Sequence, residues 1–328
     1  MRSVATLLLL AALLSGTTAA AGEATVPGLC DAIAARDGAS AYVAVLSAFP
    51  AEVAAVLEQT TVQDRVEYDG RLIRIGEIGG VRVVVTLTEI GLVNAAATTE
   101  YLLAHYPIAA VVFSGVAGSF YQIADVTVAA RFEETATGGV FDANPVLLAL
   151  ARRAARDVDL ARCTVPPNRT EMVCFRHEPR MRVGGTGQSA DPFGGNAGMC
   201  DPAGGPVFGC DAPEPIPAAA RPGKSDQPVA EDMETAAVAR VATAHDVPWV
   251  GLRGVSDGAG DPLGLPGFPA QFFAYYPISA HNAAVGAAAL LRRLAKIAKI
   301  ADGRHADDVC DLLAARRWNR AVRRLHAR

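Results

Sequence analysis

From about residue 41 to residue 294 the chain alternates short apolar runs with longer stretches whose apolar residues recur every three or four positions. Residues 41–48 are predicted as a buried strand, and residues 52–59 as a helix with Val53, Val56 and Leu57 on one stripe. Residues 71–78 and 81–87 read as consecutive strands that turn at Gly79-Gly80. Residues 93–104 are predicted as a helix that His105-Tyr106-Pro107 ends. Residues 108–113 are apolar throughout, as expected of a central parallel strand buried on both faces. The small residues 114–119 that follow read as a turn. A strand at 126–130, helices at 144–158 and 233–245, a strand at 247–252 and an alanine-rich helix at 279–298 complete the order. The alternation predicts an α/β fold, a three-layer α/β/α domain with a mixed central sheet, over residues 40–300.

The two ends follow other patterns. Arg2, an apolar run from Val4 to Leu14, and Ala19-Ala20-Ala21 have the layout of a secretory signal peptide over residues 1–21. The run is too short for a comfortable bilayer span, so no stable membrane anchor is expected. An uncleaved anchor is the rival reading. Residues 22–39 form an N-terminal extension, and residues 301–328 a basic, helical C-terminal tail. All six cysteines lie after the leader, and an even count in an exported chain suggests disulfides. Cys163 with Cys174, Cys200 with Cys210, and Cys30 with Cys310 is one of many possible pairings. Zinc is the alternative, but the spacings lack the short Cys-x-x-Cys type of knuckle. Residues 163–227 are dense in Gly and Pro and read as an insertion that either decorates the domain or covers a pocket. Formal charge is −4 with both signs interspersed, and no nucleic-acid motif is present.

Candidate chemistry lies where strands give way to loops or helices, the places where open α/β sheets bind small molecules. Asp257 follows an apolar strand and precedes Gly258-Ala259-Gly260, where small neighbours admit a ligand. An Asp there either donates a proton to a leaving group or simply closes a turn. Arg253, four residues earlier, falls on the same strand face if the strand extends that far. Glu234 is predicted in the first turn of its helix, as a dipole partner or as an acceptor for two sugar hydroxyls. Met233 beside it is core filler or a surface for a sugar. Glu52, just after Phe49-Pro50, is a first-turn charge or a group that orients water. The turn at 114–119 lacks the phosphate-loop, dinucleotide and nucleophile-elbow patterns.

Taken in order, several stretches resemble the purine nucleoside phosphorylase superfamily, nearest its methylthioadenosine/S-adenosylhomocysteine nucleosidase branch. They are Val111-Val112-Phe113-Ser114-Gly115-Val116-Ala117-Gly118, Ile123-Ala124-Asp125-Val126-Thr127-Val128, Asp232-Met233-Glu234-Thr235-Ala236-Ala237, and Val250 to Asp257. The resemblance implies that Asp257 protonates the departing purine and that Glu234 binds the 2′ and 3′ hydroxyls. Met233 would pack on the ribose, Glu52 with Arg253 would hold the attacking water, and Phe272 would close over the base. Val116 and Gly118 would line the substrate site. Two departures stand out. Ala124 replaces a usual glycine, and Val116 replaces a usual serine. The glycine-rich stretch 182–191 looks closer to secreted, storage-type plant members. The resemblance further implies a small-molecule nucleoside partner, no cofactor, no metal and a homodimer. Neither expected phosphate-binding turn contains Arg or Lys, which favours hydrolysis over phosphorolysis. A phosphorylase and a non-catalytic nucleoside-binding or storage protein are the alternatives. The expected setting is periplasmic or extracellular.

Overall fold

The computed structural model describes residues 41–68, 70–167, 169–192 and 227–300, the last four as backbone. The leader, the extension, the basic tail and four of the cysteines (30, 200, 210 and 310) lie outside the described residues.

In chain order the elements are β1 (Tyr42–Ser47), α1 (Pro50–Glu58), β2 (Thr61–Tyr68), β3 (Arg71–Ile78), β4 (Val81–Leu87), α2 (Leu92–His105) and β5 (Ile108–Gln122). Next come β6 (Val126–Val128), β7 (Arg131–Glu134), β8 (Gly139–Asp142), α3 (Pro145–Ala154), β9 (Cys163–Thr164) and β10 (Val173–Cys174). The last are β11 (Met181–Val183), β12 (Thr186–Ser189), β13 (Glu231–Asp232), α4 (Thr235–Ala244), β14 (Trp249–Ala259) and α5 (Ala270–Ile300).

Twelve strands form one mixed sheet with a main path β2-β3-β4-β1-β5-β13-β12-β7-β8. β14 pairs with β5 and β6, and β11 pairs with β6. β1 runs parallel to both β4 and β5, and β14 runs parallel to β5. β2–β3, β3–β4 and β7–β8 are antiparallel. Helices α1 and α3 each pack on α5 and all three lie on the sheet, while α2 packs on α4, which also lies on the sheet. The three-layer α/β/α architecture with a mixed sheet is the one expected.

The local reasons for these elements are simple. Val43, Val45, Val111 and Val112 are fully buried, so β1 and β5 read as unbroken apolar runs. Pro50 opens α1, where its missing N–H costs nothing. Asn144 caps α3 by accepting from the Val146 and Leu147 amides at 2.9 and 3.1 Å. Several predicted boundaries move. α5 begins at Ala270, nine residues before the alanine-rich stretch, and carries Pro277 inside it. β2 has no counterpart among the predicted elements, because nearly all of it is exposed and polar.

The main correction concerns residues 114–119. They are the continuation of β5, not a turn. On one side β5 leaves β1 after Phe113 and meets β13 at Gly118. On the other it stays beside β14 from Val111 to Gln122. β1 and β13 therefore diverge from a common neighbour, and the residues of interest gather at that divergence. The Cys-, Gly- and Pro-rich stretch also contributes to the sheet. β12 lies between β13 and β7, and Gly187 within it leaves room for Phe132, whose ring carbon would sit 2.5 Å from a Cβ there. Cys163 and Cys174 are joined in a disulfide that closes the β9–β10 ribbon.

Candidate active site

Arg253 is the centre of the site. It lies on β14 opposite Gly115 of β5, and only 1% of it is exposed. Its guanidinium stacks over the Phe113 ring at 4.1 Å. Nε donates to Thr235 Oγ1 at 2.9 Å and lies 2.8 Å from Asp232 Oδ2. Nη2 donates to Glu234 Oε2 at 3.2 Å, and Nη1 donates to the Val116 carbonyl at 3.2 Å. Nη1 is also 3.8 Å from Glu52 Oε1. Burial alone would lower the pKa of this guanidinium. Asp232, Glu234 and Glu52 together outweigh burial and raise it.

Glu52 comes from the first turn of α1 and is equally buried. Its Oε2 accepts the Ala48 amide at 2.6 Å, and its Oε1 accepts the Val116 amide at 2.7 Å. Burial drives its pKa up to about 7, against the opposing pull of Arg253. Glu234 is the residue before α4, not a member of its first turn, and its side chain does not cap the helix. Its Oε1 accepts the Gly91 amide at 3.0 Å. Burial also raises its pKa, with Arg253 the main opposing influence.

The close approach of Glu52 and Arg253 requires glycine at 115. A Cβ there would lie 2.3 Å from Arg253 Nη1 and 2.6 Å from Glu52 Oε1. The small residues of β5 therefore make room for buried charge, and the Val116 amide serves Glu52 instead of an anion.

Asp257 stands farther along β14 and pairs with Gly118. It is 8% exposed and accepts from Ser256 Oγ at 2.9 Å. A Cβ on Gly118 would meet its Oδ2 at 2.8 Å. The strand does extend through both Arg253 and Asp257, but a register shift between Val255 and Asp257 interrupts the simple alternation. Phe272, on α5, contacts the Phe49 ring at a centroid distance of 6.1 Å. Phe49 in turn leads into the turn of Glu52, whose amide bonds its carbonyl. Met233 is partly buried, packed on the main core.

The structure thus joins Glu52, Arg253, Glu234 and Val116 in one hydrogen-bonded group. Asp257 and Gly118 lie further along the same pair of strands, and Phe272 and Met233 are at the margins. Sequence reasoning missed Asp232 and Thr235. Asp232 accepts the Glu234 and Thr235 amides at 3.2 and 3.1 Å, and the Ser189 and Thr235 hydroxyls also bond it. Its place just ahead of the helix start, where a short acidic side chain bonds the first amides, was the available signal. Its ion pair with Arg253 had none.

Several known proteins are similar to this chain. The uncharacterized protein Rv2293c of Mycobacterium tuberculosis is 36% identical over 181 residues, spanning 50% of this chain and 74% of that one. A second, Rv2292c of the same organism, is 57% identical over 68 residues, spanning 21% of this chain and 92% of that one. Among solved structures, the 5′-methylthioadenosine/S-adenosylhomocysteine nucleosidase of Neisseria meningitidis, in complex with methylthio-immucillin-A, is similar with a TM-score of 0.55. It is 21% identical and covers 76% of this chain and 98% of its own. Futalosine hydrolase of Helicobacter pylori has a TM-score of 0.54 and 21% identity, covering 76% and 97%. These solved structures share the fold. The profile of the Phosphorylase superfamily matches residues 42–293, well over half of the chain, and the chain belongs to that superfamily.

Proposed function

We propose that the protein hydrolyses the N-glycosidic bond of a purine nucleoside, with an adenosine thioether as the first candidate. The observation that carries this reading is the charge balance around Arg253. Asp232, Glu234 and Glu52 face one guanidinium, whose three nitrogens already have acceptors on the protein. Such a site sets three carboxyl groups against one cation and favours a sugar that becomes cationic as its base departs. It offers a poor reception to inorganic phosphate, which needs several free donors.

In this reading Glu234 accepts from the ribose 2′ and 3′ hydroxyls with the lone pairs that Gly91 and Arg253 leave open. Glu52 holds water near the anomeric carbon and takes its proton. A carboxylate with a pKa near 7 suits that task, since it is part ionised at neutral pH and basic enough to accept a proton. Asp257 gives a proton to the purine as the C–N bond breaks. Phe272 covers the base and Met233 the sugar. A homodimer belongs to the same reading.

Purified protein is expected to release free base from 5′-methylthioadenosine, S-adenosylhomocysteine, futalosine or adenosine in phosphate-free buffer. Base release only with added phosphate, yielding a sugar phosphate, would identify a phosphorylase. Binding without release across the panel would identify a storage-type binding protein.

A further inference from the structure

The mechanism makes no use of the stretch between β14 and α5, yet one carboxylate organises it. Asp261 lies four residues after Asp257. Its Oδ1 accepts the Leu263 amide at 2.7 Å and the Tyr275 hydroxyl. Its Oδ2 accepts the Leu265 amide at 2.5 Å and Gln271 Nε2 at 3.3 Å. A carboxylate with four donors around it is close to fully engaged, as expected of a structural hub.

One of those four contacts leads back to the site. Gln271 is 7% exposed, and its Oε1 accepts the Gly258 amide at 3.0 Å. Gly258 is the residue immediately after Asp257. It is wedged against β5, where a Cβ would come within 2.5 Å of the Tyr121 carbonyl and 2.9 Å of that of Ser119. The polarity of the Gln271 amide is set by two acceptors, Asp261 Oδ2 and the Leu265 carbonyl, the latter at 3.4 Å. They draw the NH₂ end of the amide and turn the carbonyl end toward Gly258. The next residue along α5 is Phe272. Tyr275, one turn further, is fully buried and packs on Phe175 at 5.3 Å, directly after Cys174 of the disulfide-closed ribbon.

We propose that Asp261 is a positioning residue: acting through Gln271, it fixes the backbone on which Asp257 is carried, and it seats the start of α5 that carries Phe272. It touches neither sugar nor base. The catalytic part of this inference rests on the hydrolase reading above, while the hydrogen-bond relay does not.

The test is Asp261→Asn, which keeps the shape but replaces one acceptor oxygen by a donor. Amide hydrogen exchange should be roughly tenfold faster at Gly258, a group that Asp261 does not touch, while Val112 and Val250 in the core keep their protection. Gln271→Leu should give the same change at Gly258, and the double variant should add nothing further. In steady-state base release from 5′-methylthioadenosine, kcat should fall roughly tenfold in Asp261→Asn with little change in KM. Unchanged exchange at Gly258 in both single variants overturns the relay. Faster exchange with an unaltered kcat overturns the positioning role. A wild-type protein that releases no base sinks the hydrolase reading instead, and faster exchange at Gly258 would then still support the relay.

Discussion

A single arginine holds three carboxylates together, and this shapes what each site residue is able to do. Removing Arg253 would leave Asp232, Glu234 and Glu52 buried without a counter-charge, an arrangement far more costly than a lost surface ion pair. Asp257 stands farther along β14 than Arg253, at the position the proposed reaction assigns to the general acid. Asp257→Asn keeps the size and the acceptor for Ser256 but removes the transferable proton. Turnover should drop by about a hundredfold while adenine affinity is retained, as measured by base release and by titration calorimetry. Full activity in this variant would mean that another group protonates the base. Glu52 gives a second prediction through pH. Its pKa lies at about 7 in the fold, against an ordinary value of 4.5. Because water activation needs the carboxylate, kcat/KM should rise with pH through an acid limb near 7. Stability runs the other way. Between 4.5 and about 7 the folded protein keeps a proton that the unfolded chain has lost, so the Glu52 contribution weakens as pH rises across that window. Glu52→Gln should flatten both trends, which parallel rate and denaturation profiles would reveal.

At the scale of elements, β5 decides the architecture of the site. Its first half is an apolar run and was legible as a central strand. Its second half, Ser114 to Gln122, carries small residues that read locally as a turn. The physical reason for them is not local at all, since the space above Gly115 belongs to Glu52 and Arg253, and that beside Gly118 belongs to Asp257. Sequence patterns report the preference of a segment and are silent on which distant side chain will need its missing Cβ. β2 was hidden for the opposite reason, because an exposed edge strand has no apolar face to betray it. Gly115→Ala tests the spatial argument. One methyl group, placed against both members of a buried ion pair, should cost on the order of 1–3 kcal/mol in chemical denaturation and depress turnover as well. An alanine that is neutral in both measurements would show that Glu52 and Arg253 have room to separate.

For the whole molecule, the candidate site residues at 52, 234 and 253 were each singled out by residue type and by family motif, but their union was not. Crossovers from β1 to β5 and from β13 to β14 bring them to one point, and strand pairing of that kind leaves little trace in a single sequence. Asp232 shows the limit well. It sits two residues before the N-cap of α4 and accepts the amides that open the helix, and nothing in its neighbourhood announces the guanidinium 2.8 Å away. The cysteines raise a question of the same scale, because a disulfide and the apolar leader make one joint claim about compartment. Cys163 and Cys174 are bonded across a short ribbon that supports Phe175 and, through it, Tyr275. A thiol-reducing cytosol would not maintain such a bond. We therefore expect protein recovered from outside the cytoplasm of its native host to lack about 21 residues at its N-terminus. Its mass should also be lower by the hydrogens of six thiols, with a peptide linking Cys163 to Cys174. Reduction should lower stability by roughly 2–4 kcal/mol per bridge, the usual effect of releasing a closed loop. An intact leader with free thiols would place the protein inside the cell, and the nucleosides it meets would then be those of the cytoplasm, not those scavenged from outside.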